Sequence, residues 1–289
     1  MHPISYAQAI VLGLLQGAAE LFPVSSLGHS VIVPKLLGWD IHQSDDYFLT
    51  FLVATHLATA IVLLGFFWSD WGRIVKGLGR SVRDREIAGD PDAQLGWLIV
   101  VATIPAGLLG LAFEHALRSV FASPTAAAAF LFCNGLMLFG AEHLRKAAPV
   151  RVGAEYSDER ISRELSMGEA VGVGAAQAIA LLPGFSRSGA AMSGGLLAGL
   201  SNEDAARFAF LLATPVIGAA AVLKLPELFG PEGDGVRGPA LVGALCAALT
   251  AYLSVRFLVR YFETNRLTPF AIYCTIAGAL ALIALTVAG

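Results

Sequence analysis

What this chain has least of is charge. Asp, Glu, Lys and Arg together make up 14% of its 289 residues, where a soluble domain carries roughly 25%. Hydrophobic residues make up 56%, and the mean hydropathy is +0.69. The polar side chains are too few to cover a water-facing surface, so lipid must be much of the solvent. Cysteine is scarce as well. Cys133, Cys246 and Cys274 all lie in apolar stretches with no CxxC spacing, and read as buried small hydrophobes. A formal net charge of -3, with no basic stripe interleaved with aromatics, excludes a nucleic-acid partner. No Lys or Arg precedes the first apolar run, and that run contains Glu20. It reads as part of the mature fold rather than as a signal peptide.

What is present is a series of long apolar runs. Phe48–Trp68, Leu95–Phe113, Phe121–Ala141, Pro239–Val255 and Leu267–Ala288 carry no Asp, Glu, Lys or Arg. Each approaches the roughly 20 residues a membrane span requires. Pro239–Val255 extends past Arg256, whose stem can snorkel. A sixth run, Phe208–Leu223, gains length by starting at Ser201-Asn-Glu-Asp204, which has the pattern of a helix N-terminus.

Two further apolar regions, about Ile4–Leu37 and Gly168–Leu200, are too long for one straight helix. Each is interrupted near its middle, at Phe22-Pro-Val-Ser-Ser26 and at Pro183-Gly-Phe-Ser-Arg187. Irregular backbone at membrane depth survives only where protein buries it or a watery cavity borders it. Both regions are therefore read as re-entrant hairpins of two half-helices. They are also repeats. At an offset of 161, ten of the 34 positions from Ser5 to Gly38 are identical to Ser166–Gly199, including Gln16/Gln177, Ser25/Ser186 and Gly28/Gly189. Phe51–Thr55 then matches Phe210–Thr214 at an offset of 159. One hairpin plus three spans per repeat makes the second copy inverted relative to the first. The expected fold is an all-α polytopic membrane protein with inverted-topology repeats. It has about six transmembrane helices and two re-entrant hairpins in a single membrane domain, repeat one over about 1–145 and repeat two over about 160–289. With the hairpin-to-first-span side outside, thirteen Lys/Arg fall inside and four outside, in line with the positive-inside rule. Both termini then face outside.

The breaks also hold the polar residues. Glu20 lies four residues after Gln16, on one helix face. A carboxylate inside an apolar segment is costly and marks a functional site by default, although a buried structural partner would also account for it. Ser25 or Ser26 could cap the second half-helix, and His29 reaches the same face. Arg187 opens a half-helix after Pro183-Gly184, between Ser186 and Ser188. Free N–H groups and the positive dipole end suit an anion there, and Arg adds a planar fork for phosphate. The alternative is an Arg187–Glu20 pair that only joins the hairpins. His56, His115 and His143 lie within or at the ends of spans and read as structural or interfacial. A phosphate near a carboxylate calls for a hard divalent cation.

These motifs, Gln16-Gly-Ala-Ala-Glu20, Leu21-Phe-Pro-Val-Ser-Ser-Leu-Gly-His29 and Pro183-Gly-Phe-Ser-Arg-Ser-Gly-Ala190, resemble those of the undecaprenyl-diphosphate phosphatase (bacitracin-resistance) family, over nearly the whole chain. The pattern departs at Leu27, where the family usually shows Ser or Thr. The resemblance implies removal of the terminal phosphate from a C55 polyprenyl diphosphate, which recycles the carrier for cell-wall synthesis. It further implies a divalent metal, Mg²⁺ or Ca²⁺, a homodimer, and a site open to the outer face of the bacterial plasma membrane. Glu20, Ser26, His29 and Arg187 carry over as catalytic, with Glu20 also toward the metal. Gln16, Ser25, Ser186, Ser188, Gly184 and Gly189 carry over toward the substrate. Attack by Ser26, by His29 or by metal-activated water stays open, as does a lipid-phosphate transporter in place of an enzyme.

Overall fold

The computed structural model describes residues 4–41, 45–121, 123–145, 157–230 and 235–287, without the side chains at 46, 113–121, 225 and 227. Lys146, Arg151, the side chains of His115 and Arg118, and both chain ends lie outside the described residues. Among the described residues the chain forms twelve α-helices and no strand. In chain order these are α1 (Tyr6–Leu21), α2 (Ser26–Leu36), α3 (Asp46–Phe66), α4 (Trp68–Asp84), α5 (Pro91–Phe121) and α6 (Pro124–Leu144). They continue with α7 (Ser157–Glu164), α8 (Met167–Gln177), α9 (Arg187–Ala198), α10 (Asn202–Phe229), α11 (Arg237–Phe262) and α12 (Thr268–Val287). A 3-10 turn over Ala178–Leu181 follows α8.

Six of these helices, α3, α5, α6, α10, α11 and α12, are long and apolar enough to cross a membrane. They coincide with the six runs read from the sequence. The chain is thus a multi-pass membrane protein. Their outward faces stay apolar, with Leu111, Leu223, Leu245 and Leu280 all exposed, as lipid-facing surface requires. Ser201 starts α10 by accepting from the Asp204 N–H at 3.1 Å. The sequence reading placed no helix in the charged segment after Trp68, where α4 forms. It buries Asp70, Ile74, Gly77 and Ser81 on one face. Arg73 and Arg207 share Asp70 and Asp158 at 2.6–3.0 Å, and Arg160 bonds Asp204 at 2.7 Å. These ion pairs tie α4 and α7 to α10. Arg207 also stacks over Phe67.

The two interrupted regions exchange partners. α1 packs on α11, and α8 packs on α5. The close approach falls at equivalent glycines. A Cβ on Gly13 would lie 2.3 Å from the Gly243 carbonyl oxygen, and one on Gly174 would lie 2.2 Å from that of Ala102. Helices α6 and α12 cross each other in the same reciprocal way. Gly135 faces Thr275 and Ala271, while Gly278 faces Phe132 and Ala128, so each contact maps onto the other at an offset of 143. Identical capping boxes open α1 and α8, from Ser5 with Gln8 and from Ser166 with Glu169.

Candidate active site

Proline ends the first half-helix of each pair. The residue before a proline is pushed from helical to extended backbone. Phe22 (φ -63°, ψ 142°) and Leu182 (φ -86°, ψ 125°) show this before Pro23 and Pro183. The chain then turns back through a positive φ, at Ser25 (67°) in the first break and Gly184 (109°) in the second. Ser25 and Ser186 cap the following helices, accepting from Gly28 and Gly189 N–H groups at 3.1 Å each. Capping therefore falls to Ser25, which leaves the Ser26 side chain free. Ser26 and Arg187 are the first residues of α2 and α9, and they are equivalent positions of the repeat.

The breaks touch. A Cβ on Gly28 would lie 2.9 Å from Gly184 Cα, and one on Gly189 would lie 3.2 Å from Pro23 Cβ. Ser188 donates to the Phe22 carbonyl oxygen at 3.2 Å and exchanges a 3.0 Å hydrogen bond with Ser186. Gly184, Gly189 and Ser188 thus join the breaks to each other.

Glu20 is the hub. It sits in the last turn of α1, buried. Its Oε2 accepts from Gln16 Nε2 at 2.9 Å and from Ser26 Oγ at 2.5 Å. Its Oε1 accepts from Arg187 Nη2 at 3.0 Å. The Arg187–Glu20 pair, which the sequence offered as the alternative to an anion site, therefore forms through one guanidinium nitrogen. Arg187 Nη1 and Gln16 Oε1 are buried with no hydrogen-bond partner among the described residues.

His56, which the sequence reading set aside, belongs here. Its Nε2 lies 3.5 Å from Glu20 Oε2. Its Nδ1 lies 2.8 Å from the Leu52 carbonyl oxygen. That oxygen can only accept, so Nδ1 carries the hydrogen and Nε2 faces the carboxylate. His29 is placed differently. Its Nδ1 donates to the Ser25 carbonyl at 2.7 Å, its Nε2 accepts from Tyr273 Oη at 2.8 Å, and its ring stacks on Tyr273. Both nitrogens are engaged away from Glu20, and His29 supports the Ser25 turn.

Glu20, Ser26, His56 and Arg187 border one cavity of about 430 Å³, with Ser25 and Ser186 at its wall. The rest of the lining is mostly apolar, including Leu49, Leu52, Leu181, Val216 and Ile217. A compact polar end that suits an anion adjoins a greasy passage.

Fold and site together define a multi-pass membrane protein with a buried polar centre where two broken helices meet. The chain belongs to the bacitracin resistance protein BacA family, whose model matches residues 9–280. It is 51% identical over 300 residues to the undecaprenyl-diphosphatase of Mycolicibacterium paratuberculosis, covering 97% of each chain. It is 46% identical over 345 residues to undecaprenyl-diphosphatase 2 of Frankia alni, covering 100% of each. With the undecaprenyl-diphosphatase of Acidiphilium cryptum the identity is 47% over 283 residues, covering 95% of this chain and 96% of the relative.

Proposed function

We propose that this chain is a membrane phosphatase that converts undecaprenyl diphosphate to undecaprenyl phosphate and inorganic phosphate, returning the lipid carrier to cell-wall synthesis. The observation that carries the reading is the Ser26–Glu20–Arg187 chain of hydrogen bonds at the polar end of an apolar cavity. A hydroxyl held against a carboxylate is an activated nucleophile. An unpaired guanidinium N–H beside it matches a phosphoryl oxygen.

In this reading Ser26 Oγ attacks the terminal phosphorus and gives its proton to Glu20. The bond to the bridging oxygen breaks, its electron pair leaves with the lipid monophosphate, and Glu20 hands its proton to that group. Arg187 stabilises the charge spread over the equatorial oxygens, usually the largest catalytic term. Water then cleaves the phosphoserine. Glu20 takes the water's proton and returns one to Ser26 Oγ. His29 is the weaker nucleophile candidate because both its nitrogens are committed.

A divalent cation, Mg²⁺ or Ca²⁺, fits the residues present. Glu20 supplies one carboxylate at the cavity wall, held from behind by Gln16 Nε2, and such an ion takes its other ligands from substrate phosphates and water. Among the described residues no cluster of three His, Cys, Asp or Glu offers a complete protein cage. The ion would neutralise the diphosphate. The two broken regions serve as re-entrant hairpins of inverted repeats, a reading supported by the exchanged α1–α11 and α8–α5 contacts. The cation bias supports a site open toward the outer face of the plasma membrane.

The test is phosphate release from a C55 diphosphate by purified protein, with and without EDTA. Release that chelator abolishes is expected. No release from folded, metal-supplied protein would replace the enzyme with a lipid-phosphate transporter.

A further inference from the structure

The α6–α12 crossing is built mostly from reciprocal contacts of small and apolar residues, and it buries one amide. Asn134 on α6 is fully buried, and its counterpart at the 143-residue offset on α12 is Ala277. The repeat therefore does not require an amide at this position. Every polar atom of Asn134 is engaged, and the partners lie on opposite breaks. Nδ2 donates to the Pro23 carbonyl oxygen at 3.0 Å in the first break. Oδ1 accepts from the Ser186 N–H at 3.0 Å in the second. The remaining Nδ2 hydrogen points toward Cys274 Sγ on α12 at 3.3 Å.

Both backbone groups bonded by Asn134 belong to irregular chain. Pro23 follows the end of α1, and Ser186 is the cap just before Arg187. Neither group has a helical partner available, and a buried one left unmade costs more than an ordinary hydrogen bond gains. One amide thus satisfies a carbonyl three residues before Ser26 and an N–H one residue before Arg187. Donor and acceptor lie on the same rigid planar group, which adds a second tie between the breaks beside the Ser188 bond to the Phe22 carbonyl.

We propose that Asn134 is a positioning residue that sets the register between Ser26 on one break and Arg187 on the other. It touches no substrate. Its effect runs through the placement of Arg187 over the phosphoryl group that Ser26 attacks. The proposal rests on the phosphatase reading for its kinetic consequence and on the geometry alone for its structural one. A misplacement of about 1 Å in a catalytic group can cost on the order of 10²-fold in rate.

The experiment combines hydrogen exchange by mass spectrometry with phosphate release from a C55 diphosphate. It compares wild type, Asn134→Ala, Asn134→Ser, Arg187→Ala and the Asn134→Ala/Arg187→Ala double variant. Asn134→Ala is expected to raise exchange in residues 22–29 and 183–190 together, leaving α6 and α12 protected. It should lower kcat on the order of 10²-fold with a smaller change in KM. Adding it to Arg187→Ala should cost little more, because the Arg187 contribution is already gone. Asn134→Ser, whose hydroxyl is shorter, should fall between wild type and Ala. Three results would overturn the proposal: losses that multiply in the double variant, exchange that rises in one break alone or in neither, or exchange that rises equally through α6 and α12. If wild type itself releases no phosphate, the phosphatase reading fails, and the exchange data alone decide whether Asn134 couples the breaks.

Discussion

Ser26 Oγ donates to Glu20 Oε2 at 2.5 Å across a proline-broken turn, from the first residue of one helix to the last turn of the one before it. The two residues are six apart in sequence, a spacing no continuous helix would bring face to face. The turn brings them together because Phe22 is forced to extended backbone and Ser25 takes a positive φ. The same Glu20 binds Arg187 from the second break, so the proposed nucleophile and the proposed anion site meet at one carboxylate.

Arg187 should not tolerate even a conservative change. Arg187→Lys keeps the charge but loses the fork, so Nη2 and Nη1 cannot serve Glu20 and a phosphoryl oxygen together. A loss on the order of 10²-fold in kcat is expected. Arg187→Ala should in addition lower the stability of the metal-free protein by about 3–5 kcal/mol, since the buried Glu20 carboxylate loses its guanidinium partner. Steady-state kinetics and thermal melts in the same detergent check both. A lysine variant as active as wild type would remove the fork from the account.

Gln16 should matter to the metal more than to the chemistry. Its Nε2 steadies Glu20, and its Oε1 has no partner among the described residues. Gln16→Leu removes the Nε2 bond that holds Glu20 from behind. The expected outcome is about a tenfold rise in the Mg²⁺ or Ca²⁺ concentration giving half-maximal activity, the scale of losing a supporting ligand group. Metal titration of phosphate release measures it. An unchanged midpoint would take Gln16 out of the cation site.

The spans were the legible part of the fold. Apolar length and missing charge marked α3, α5, α6, α10, α11 and α12, and prolines marked both breaks. Helix α4 was not read, because its first half is held by Arg73 and Arg207 sharing Asp70 and Asp158 across distant elements. Of the site, Glu20, Ser26 and Arg187 stood out as polar residues where lipid-depth sequence should have none. His56 did not. A lone histidine in an apolar run looks structural until folding places it beside a carboxylate 36 positions away. Nor could spacing choose between Ser25 and Ser26, since the choice depends on a positive φ at a residue that is not glycine.

Helix crossings at glycine should be far less tolerant than glycines with open space beside them. A Cβ at Gly17 would lie 2.0 Å from the Ala247 carbonyl oxygen, whereas one at Gly218 meets nothing within 4 Å. Gly17→Val should destabilise by several kcal/mol, in the upper range for single substitutions. Gly218→Ala should stabilise by about 0.4–1 kcal/mol, through lower unfolded-state entropy. Thermal melts separate the two. Equal effects at both sites would contradict the α1–α11 packing.

Stability should fall in acid partly through Asp90, at the head of α5 outside the apolar span. Partial burial pushes its carboxyl up, but hydrogen bonds from Arg80 and the Ala93 N–H outweigh this and hold it below the ordinary range. A group lowered on folding stabilises fully above its unfolded pKa. That contribution is lost as pH falls through the folded value. Melts from about pH 6 downward should show the loss beginning near pH 4. Asp90→Asn should be less stable than wild type near neutrality and converge with it in acid. A constant gap at all pH values would show that Asp90 does not titrate in this way.

The most direct test of the central claim is to quench the reaction with a C55 diphosphate carrying a labelled terminal phosphate and map where the label sits on the protein. The account predicts a labelled peptide containing Ser26, absent in Ser26→Ala, and formed no more slowly than phosphate is released. Label on His29, or steady phosphate release with no labelled protein at any quench time, would contradict it.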